Sequence, residues 1–157
     1  MKTHTQDLAL LLRERRDQNI ERAFESLNRS GLPHYSSSAG QQNLHRLSAL
    51  YDVTLDCVER RTLVPMHDHA RSVARERHAG GFGLQEVHTA FNVLEEVLWN
   101  AITEHLAPEE YPEAFGLVST VLGAGKQSLA VEYVALADPR ARFESLDLTA
   151  LFKGTTS

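Results

Sequence analysis

Histidine is the residue type in this chain best placed to do chemistry, because eight occur among 157 residues and imidazole serves as acid, base and metal ligand near neutral pH. His67-Asp68-His69, with His78 and His88, is the cluster whose residue types suit a metal ion. Residues two apart on a helix point nearly opposite ways, so His67 and His69 share an ion only if the chain around Pro65 is irregular. Their spacing therefore favours surface or helix-end histidines, and no metal site is assigned. His88 differs, since it lies four residues after Leu84 and three before Phe91, at the edge of an apolar stripe. That position suits a hydrogen-bonded core histidine, or a ligand to haem or a metal. His88 is the candidate cofactor-binding residue, haem being the alternative to no cofactor at all.

Other apparent motifs carry less. Gly123 to Ser128 reads GAGKQS, but a phosphate-binding loop needs a glycine five residues before its Gly-Lys pair, where this chain has Thr120, and it needs a preceding strand. The GGFG cluster at Gly80 to Gly83 lacks the spacing and the strand of a dinucleotide fingerprint. Glu95-Glu96 and Glu109-Glu110 suit solvated faces or helix starts, and Glu86 suits the first turn of a helix, where a negative charge opposes the dipole. Cys57 is the sole cysteine, which excludes an intrachain disulfide and a cysteine zinc site and leaves a small core residue. No arrangement of serine, histidine and carboxylate is identifiable from spacing. The expectation is a protein that is not an enzyme, with no catalytic residue.

A net charge of −5 and a pI near 5.9 provide no clustered basic footprint, so direct contact with nucleic acid or an anionic membrane surface is not expected. No apolar run approaches the ~20 residues of a membrane span. The start, MKTHTQDLALLL, runs on into charged helix rather than a small-residue cleavage site. A cytoplasmic protein is the expectation. The 42% apolar and 24% charged composition is that of an ordinary globular domain.

The elements that must position these residues read as helices throughout. A first helix is expected over 5–30, with Leu8, Leu12, Ile20, Ala23, Phe24 and Leu27 as its buried stripe and Gly31 and Pro33 beyond its end. Arg16 falls on that stripe, its stem packed and its head reaching solvent. A serine-rich loop follows, then a second helix over 38–62, with Leu44, Leu47, Tyr51, Leu55 and Val58 recurring at three- and four-residue steps. Pro65 opens a third helix, 65–79. Gly80, Gly81 and Gly83 permit the positive φ of a tight helix end, and a fourth helix, 84–106, carries Leu84, Val87, Phe91, Leu94, Leu98 and Trp99. A fifth helix, 111–137, is interrupted by Gly116, Gly123 and Gly125. Each interior glycine costs about 1 kcal/mol relative to alanine, so close packing, a kink or a ligand surface must account for them, close packing first. These three are the candidate interaction or hinge residues. The expected architecture is all-α: one bundle of about five helices over 5–137, then a tail over 138–157 with a short helix at 146–152 that folds back on the bundle or docks on a partner.

Arg75, Arg77, Gly81, Leu84, Glu86, Ala90, Phe91, Leu94 and Trp99 together resemble the central hairpin of the RsbRD-type N-terminal domain family, the helical sensor-like modules of bacterial stress and transcription regulators. In that family a basic helix end, a glycine turn and a Leu-x-Glu helix start lead to an Ala-aromatic pair and a tryptophan; Asn92 departs from the basic residue that often follows the aromatic. The resemblance implies a regulatory input domain that pairs as a homodimer and signals to a kinase, an anti-sigma system or a transcription regulator. It also implies that a globin-like arrangement without haem stands beside a simple up-down bundle. Because the sequence ends about 20 residues after the bundle, the expectation is a stand-alone module acting in trans. The second reading is a sensor holding haem, a metal or a small apolar effector between its helices.

Overall fold

The computed structural model describes residues 4–30 and 40–138, and there the chain is helical: α1 (His4–Glu14), α2 (Arg16–Asn28), α3 (Gly40–Arg60), α4 (Val64–Ala79), α5 (Leu84–His105) and α6 (Tyr111–Ala137), with a 3-10 turn at Pro108–Glu110 before α6. The expected loop over 31–39, the start of the second helix at 38, and the tail with its helix at 146–152 lie outside the described residues. One apolar core joins all six helices, and α6 makes its broadest interface with α4 and its next with α5.

Six helices rather than five result from a break in the first one. At Arg15 the backbone leaves helical geometry (φ −101°, ψ 15°). The cause lies on α3. Tyr51 is buried, and its hydroxyl donates to the Leu12 carbonyl, the acceptor that an unbroken helix would give to the amide of residue 16. The same hydroxyl accepts from Asn19 Nδ2 at 3.1 Å, and Asn19 is itself buried. Next to this pair, Arg16 grips Asp52 through two parallel bonds, Nε to Oδ1 at 2.7 Å and Nη2 to Oδ2 at 2.9 Å. The expected packed stem and solvent-reaching head are seen, with Asp52 as partner. That carboxylate holds the guanidinium firmly protonated, pushing its pKa up against a smaller loss from burial. Burial pushes the Tyr51 phenol up to about 12, with Asn19 opposing.

Helix ends follow from local chemistry. Arg61 takes a positive φ of 53° after α3, and the amide of Thr62 reaches back to the Cys57 carbonyl at 3.3 Å, which closes the helix with a left-handed residue that is not glycine. After α4 only Gly81 of the glycine cluster uses a positive φ, 84°. Gly80 and Gly83 sit at −82° and −73°, open to any residue. Glu86 accepts from the Gly83 amide at 3.4 Å and so completes half of a capping box at the start of α5. Pro65 occupies the first turn of α4, where its missing amide costs nothing.

The apolar stripes are largely those the periodicity indicates, with exceptions. At the start of α3 the core-facing position is Asn43, while Leu44 points outward. Trp99 is 44% exposed rather than inside. Cys57 is a buried core residue.

Replacing Tyr51 by Phe leaves the ring in place and removes the hydroxyl, so the Leu12 carbonyl and Asn19 amide lose a buried partner. Tyr51→Phe should lower unfolding free energy by about 1–3 kcal/mol in urea titration. Tyr111→Phe removes a hydroxyl bond to the Thr103 carbonyl nearer the surface and should cost less than about 1 kcal/mol in the same titration.

Candidate functional site

The turn between α4 and α5 builds the most distinctive chemistry in the molecule. Its backbone is a Schellman closure: the Phe82 amide bonds the Arg77 carbonyl at 3.0 Å and the Gly81 amide bonds the His78 carbonyl at 3.1 Å. Such a closure brings the residue just past the helix back onto its last turn. Here Phe82 lies over Arg77, whose Cζ is 3.3 Å from the ring centroid. The Arg46 guanidinium stands 5.9 Å from the same centroid. From α6 the Tyr133 hydroxyl donates to the Phe82 carbonyl at 3.0 Å, and the Tyr133 ring meets His78 edge-on at 5.6 Å. The turn is thus pinned to the last helix and in turn fixes the Arg77 plane.

Arg77 is only 3% exposed, a burial that a guanidinium rarely reaches. It lines a cavity of about 450 Å³ between α3, α4 and α5, closed on one side by Leu27 of α2. The apolar wall includes Leu47, Leu50, Val73, Val87 and Phe91, and the polar groups include Asn43, His45, Arg46, His69 and Glu76. Arg46 Nη2 pairs with Glu76 Oε1 at 3.2 Å. Burial pulls the His69 pKa down, against a smaller pull upward from Glu76, so this imidazole is neutral at neutral pH. A largely apolar, half-open cavity of this size with a few converging polar groups has the form of a small-molecule site.

His67 and His88 are placed elsewhere. His67 Nδ1 contacts the Ser128 hydroxyl on α6, so His67 and His69 serve different sides of α4. His88 is half-buried on the face of α5 toward α6, where its Nε2 donates to the Lys126 carbonyl at 3.3 Å; it does not line the cavity. Among the described residues no group of three His, Cys, Asp or Glu converges as a metal site would require. Gly123 to Ser128 lies inside α6, and Lys126 Nζ is held by Asn92 Oδ1 at 3.0 Å and Glu95 Oε1 at 3.3 Å. A phosphate cradle of loop amides is therefore not formed there.

The three glycines of α6 divide into two kinds. A Cβ on Gly125 would lie 2.7 Å from Met66 Sδ and 2.7 Å from Phe91 Cε1, so this glycine admits α4 and α5 to close approach. At Gly116 and Gly123 such a Cβ would have no described residue within 4 Å. Close packing therefore accounts for one glycine and not for the other two. Gly116 and Gly123 belong to a seam that steps along α6 by four and three: Gly116, Thr120, Gly123, Gln127, Ala130, Val134 and Ala137. Trp99 borders it from α5, donating its indole N–H to Ser119 Oγ at 3.1 Å and stacking on Phe115 with 4.9 Å between centroids. Only three of the 27 residues of α6, Glu113, Lys126 and Glu132, carry charge. Glu132 is buried and pairs with Arg75 of α4 at 3.2 Å. A helix this apolar on both sides is characteristic of one covered from both sides.

Periodicity marked the seam glycines and His88, but the cavity escaped it. Arg46, His69 and Arg77 come from two helices; Arg77 stood out as a basic residue before a glycine turn and His69 as part of a histidine cluster read for a metal, while Arg46 carried no local signal.

Residues 17–135, more than half of the chain, match a family model described as the RsbT co-antagonist protein rsbRD N-terminal domain. The match opens in α2 and closes near the end of α6, and so takes in both the cavity and the α6 seam. No curated protein matches the chain. No helix among the described residues is long and apolar enough to cross a membrane.

The two kinds of glycine should respond oppositely to alanine. Gly125→Ala should destabilise by about 1–3 kcal/mol, since Met66 and Phe91 are both fully packed. Gly123→Ala should leave stability unchanged or raise it by up to about 1 kcal/mol through helix propensity. Thermal unfolding of both variants beside the parent checks the contrast.

Proposed function

The chain belongs to the RsbRD N-terminal domain family, and from that membership we propose that it is a regulatory module of a stress-signalling system that acts through contact with other proteins rather than by catalysis. The observation that carries this reading is α6. Its inner side builds the core, and its outer side presents a nearly uncharged seam of small residues at heptad-like spacing. Two such seams on antiparallel or parallel helices can approach closely, as small side chains allow. We therefore read the module as a homodimer paired along α6, with Trp99 and Phe115 at one end of the contact. The stimulus is passed on as a shift in helix packing, one of the ordinary ways a packed interface switches. The output is a signalling partner such as a kinase or a transcription regulator. Because the family model is described as the N-terminal domain of an RsbT co-antagonist protein, RsbT is the first protein to test as a partner.

The cavity favours a second reading that is compatible with the first, in which the module holds a small effector between α3, α4 and α5. Phe91 supports a link between the two, because it lines the cavity and also packs at the Gly125 approach. An occupant that moved Phe91 would change how α6 sits.

Sedimentation velocity at about 50 µM protein, a concentration at which specific interfaces of micromolar affinity are populated, should report a dimer. Gly123→Leu should shift it to the monomer while circular dichroism still reports a folded helical chain, because a Cβ at this position meets no described residue of its own protomer within 4 Å. A parent chain that sediments as a monomer, or a Gly123→Leu variant that stays dimeric, would remove α6 as the interface.

A further inference from the structure

One face of α4 supplies much of the polar side of the cavity, where His69, Val73, Glu76 and Arg77 recur at steps of four, three and one. The charged groups of the wall are occupied within the protein. Arg46 of α3 and Glu76 pair at 3.2 Å, and Arg77 stacks on Phe82 and has further partners of its own. His69 is different. It is half-buried, it makes no hydrogen bond among the described residues, and burial keeps its imidazole neutral. A neutral imidazole has one N–H to donate and one lone pair to accept with. The rest of the wall is aliphatic and aromatic. The volume of about 450 Å³, at about 30 Å³ for a water-sized group, holds on the order of fifteen non-hydrogen atoms. An ion entering this space gives up hydration among charges that are already engaged, which is costly. A neutral molecule gains from the apolar contact and needs a partner only for its polar group. A hydroxyl both donates and accepts, so it suits either tautomer of the His69 ring.

We propose that the cavity between α3, α4 and α5 binds a small uncharged amphiphile, a hydroxyl-bearing aromatic or aliphatic molecule whose polar end bonds His69 and whose body lies against Leu47, Leu50, Val87 and Phe91. The proposal rests on the reading that this cavity holds an effector, and it adds the chemical class and the anchoring residue. The Arg46–Glu76 pair has a part as well. Each of its members satisfies the other, so the wall keeps its charged groups without requiring a charged ligand to balance them.

Four probes built on one body separate the possibilities: 4-phenylbutan-1-ol, 4-phenylbutyrate, 4-phenylbutylamine and butylbenzene, titrated into the whole chain near neutral pH by ligand-observed NMR. The alcohol should bind about ten-fold or more tightly than either ion, as expected for the cost of bringing a charge into an apolar space. His69→Leu should weaken the alcohol about three- to ten-fold, the worth of one hydrogen bond, and leave butylbenzene no weaker. Ala90→Phe, which fills the cavity from α5, should abolish binding of all four, and circular dichroism reports whether each variant is folded. A carboxylate or an amine that binds as tightly as the alcohol overturns the uncharged class and leaves the effector reading standing. Full affinity for the alcohol in folded His69→Leu overturns the anchor, and with it the proposal, but not the effector reading. Alcohol binding that survives in folded Ala90→Phe places the site elsewhere and overturns the proposal. No binding by any of the four up to its solubility overturns the proposal and the effector reading together. Should a variant fail to fold, the order of the probes on the parent chain and the methyl NMR signals of Leu47, Leu50 and Val87 decide the matter: the alcohol should shift them, and unmoved signals overturn the proposal.

Discussion

The missing side chain at Gly125 sets the distance between α6 and the pair α4 and α5, and most of the structure depends on that distance. Met66 and Phe91, both buried, fill the space a Cβ would need. Dense interiors respond to a single added methylene by shifting whole elements. α6 is the helix with the least charge and the widest interfaces, so its seating determines where Glu132 meets Arg75, where Lys126 meets Glu95 and where Tyr133 reaches the turn at Phe82. The entropic cost of an interior glycine, about 1 kcal/mol, is set against the close packing of three helices.

From that seating the candidate site follows in a short chain of cause. Tyr133 can bond the Phe82 carbonyl only because α6 lies close to the end of α4. Gly81 turns the backbone left-handed, which few side chains tolerate, and the turn lays Phe82 on Arg77. A charged residue is thereby held at the wall of an apolar cavity, where its desolvation is offset in part by the ring face. The break in the first helix uses a different device. There a side chain, Tyr51, takes over a backbone acceptor and splits one helix into α1 and α2, while Arg16 and Asp52 fix the angle at which they meet α3.

Much of this architecture was legible in the sequence, because helices leave a periodic record. The order of the elements, the stop at Gly80 and Gly81, the start at Pro65 and the buried positions of α5 all follow from spacing and from Gly and Pro. What periodicity cannot record is which helices meet. Tyr51 and Leu12 are 39 residues apart and Arg46 and Glu76 are 30 apart, so neither the break at Arg15 nor the charged wall of the cavity has a local signature. Asn43 and Leu44 show the limit most sharply. A hydrophobicity pattern assigns the inward position to leucine, yet the geometry of α3 turns the amide to the core and the leucine to solvent. The three glycines of α6 looked alike for the same reason, and only the presence of Met66 and Phe91 beside one of them separates a packing glycine from two that face outward.

A regulatory reading of this fold requires more than a cavity and an interface on one molecule. A ligand shifts a conformational equilibrium only by the difference in its affinity for the two states, so the effector must touch something whose position differs between them. Phe91 meets that condition better than its neighbours on the wall. Leu47 and Leu50 face the cavity from α3, and Val73 faces it from the outer side of α4, whereas Phe91 has one edge toward the cavity and the other against the Gly125 approach. Displacement of this ring would bear on the contact at Gly125, where a Cβ would already lie 2.7 Å from Phe91 Cε1, and so on the seat of α6, whose far side is the seam. The glycine that allows the helices to pack so closely is, for the same reason, the point at which a change in the cavity would be felt at the surface.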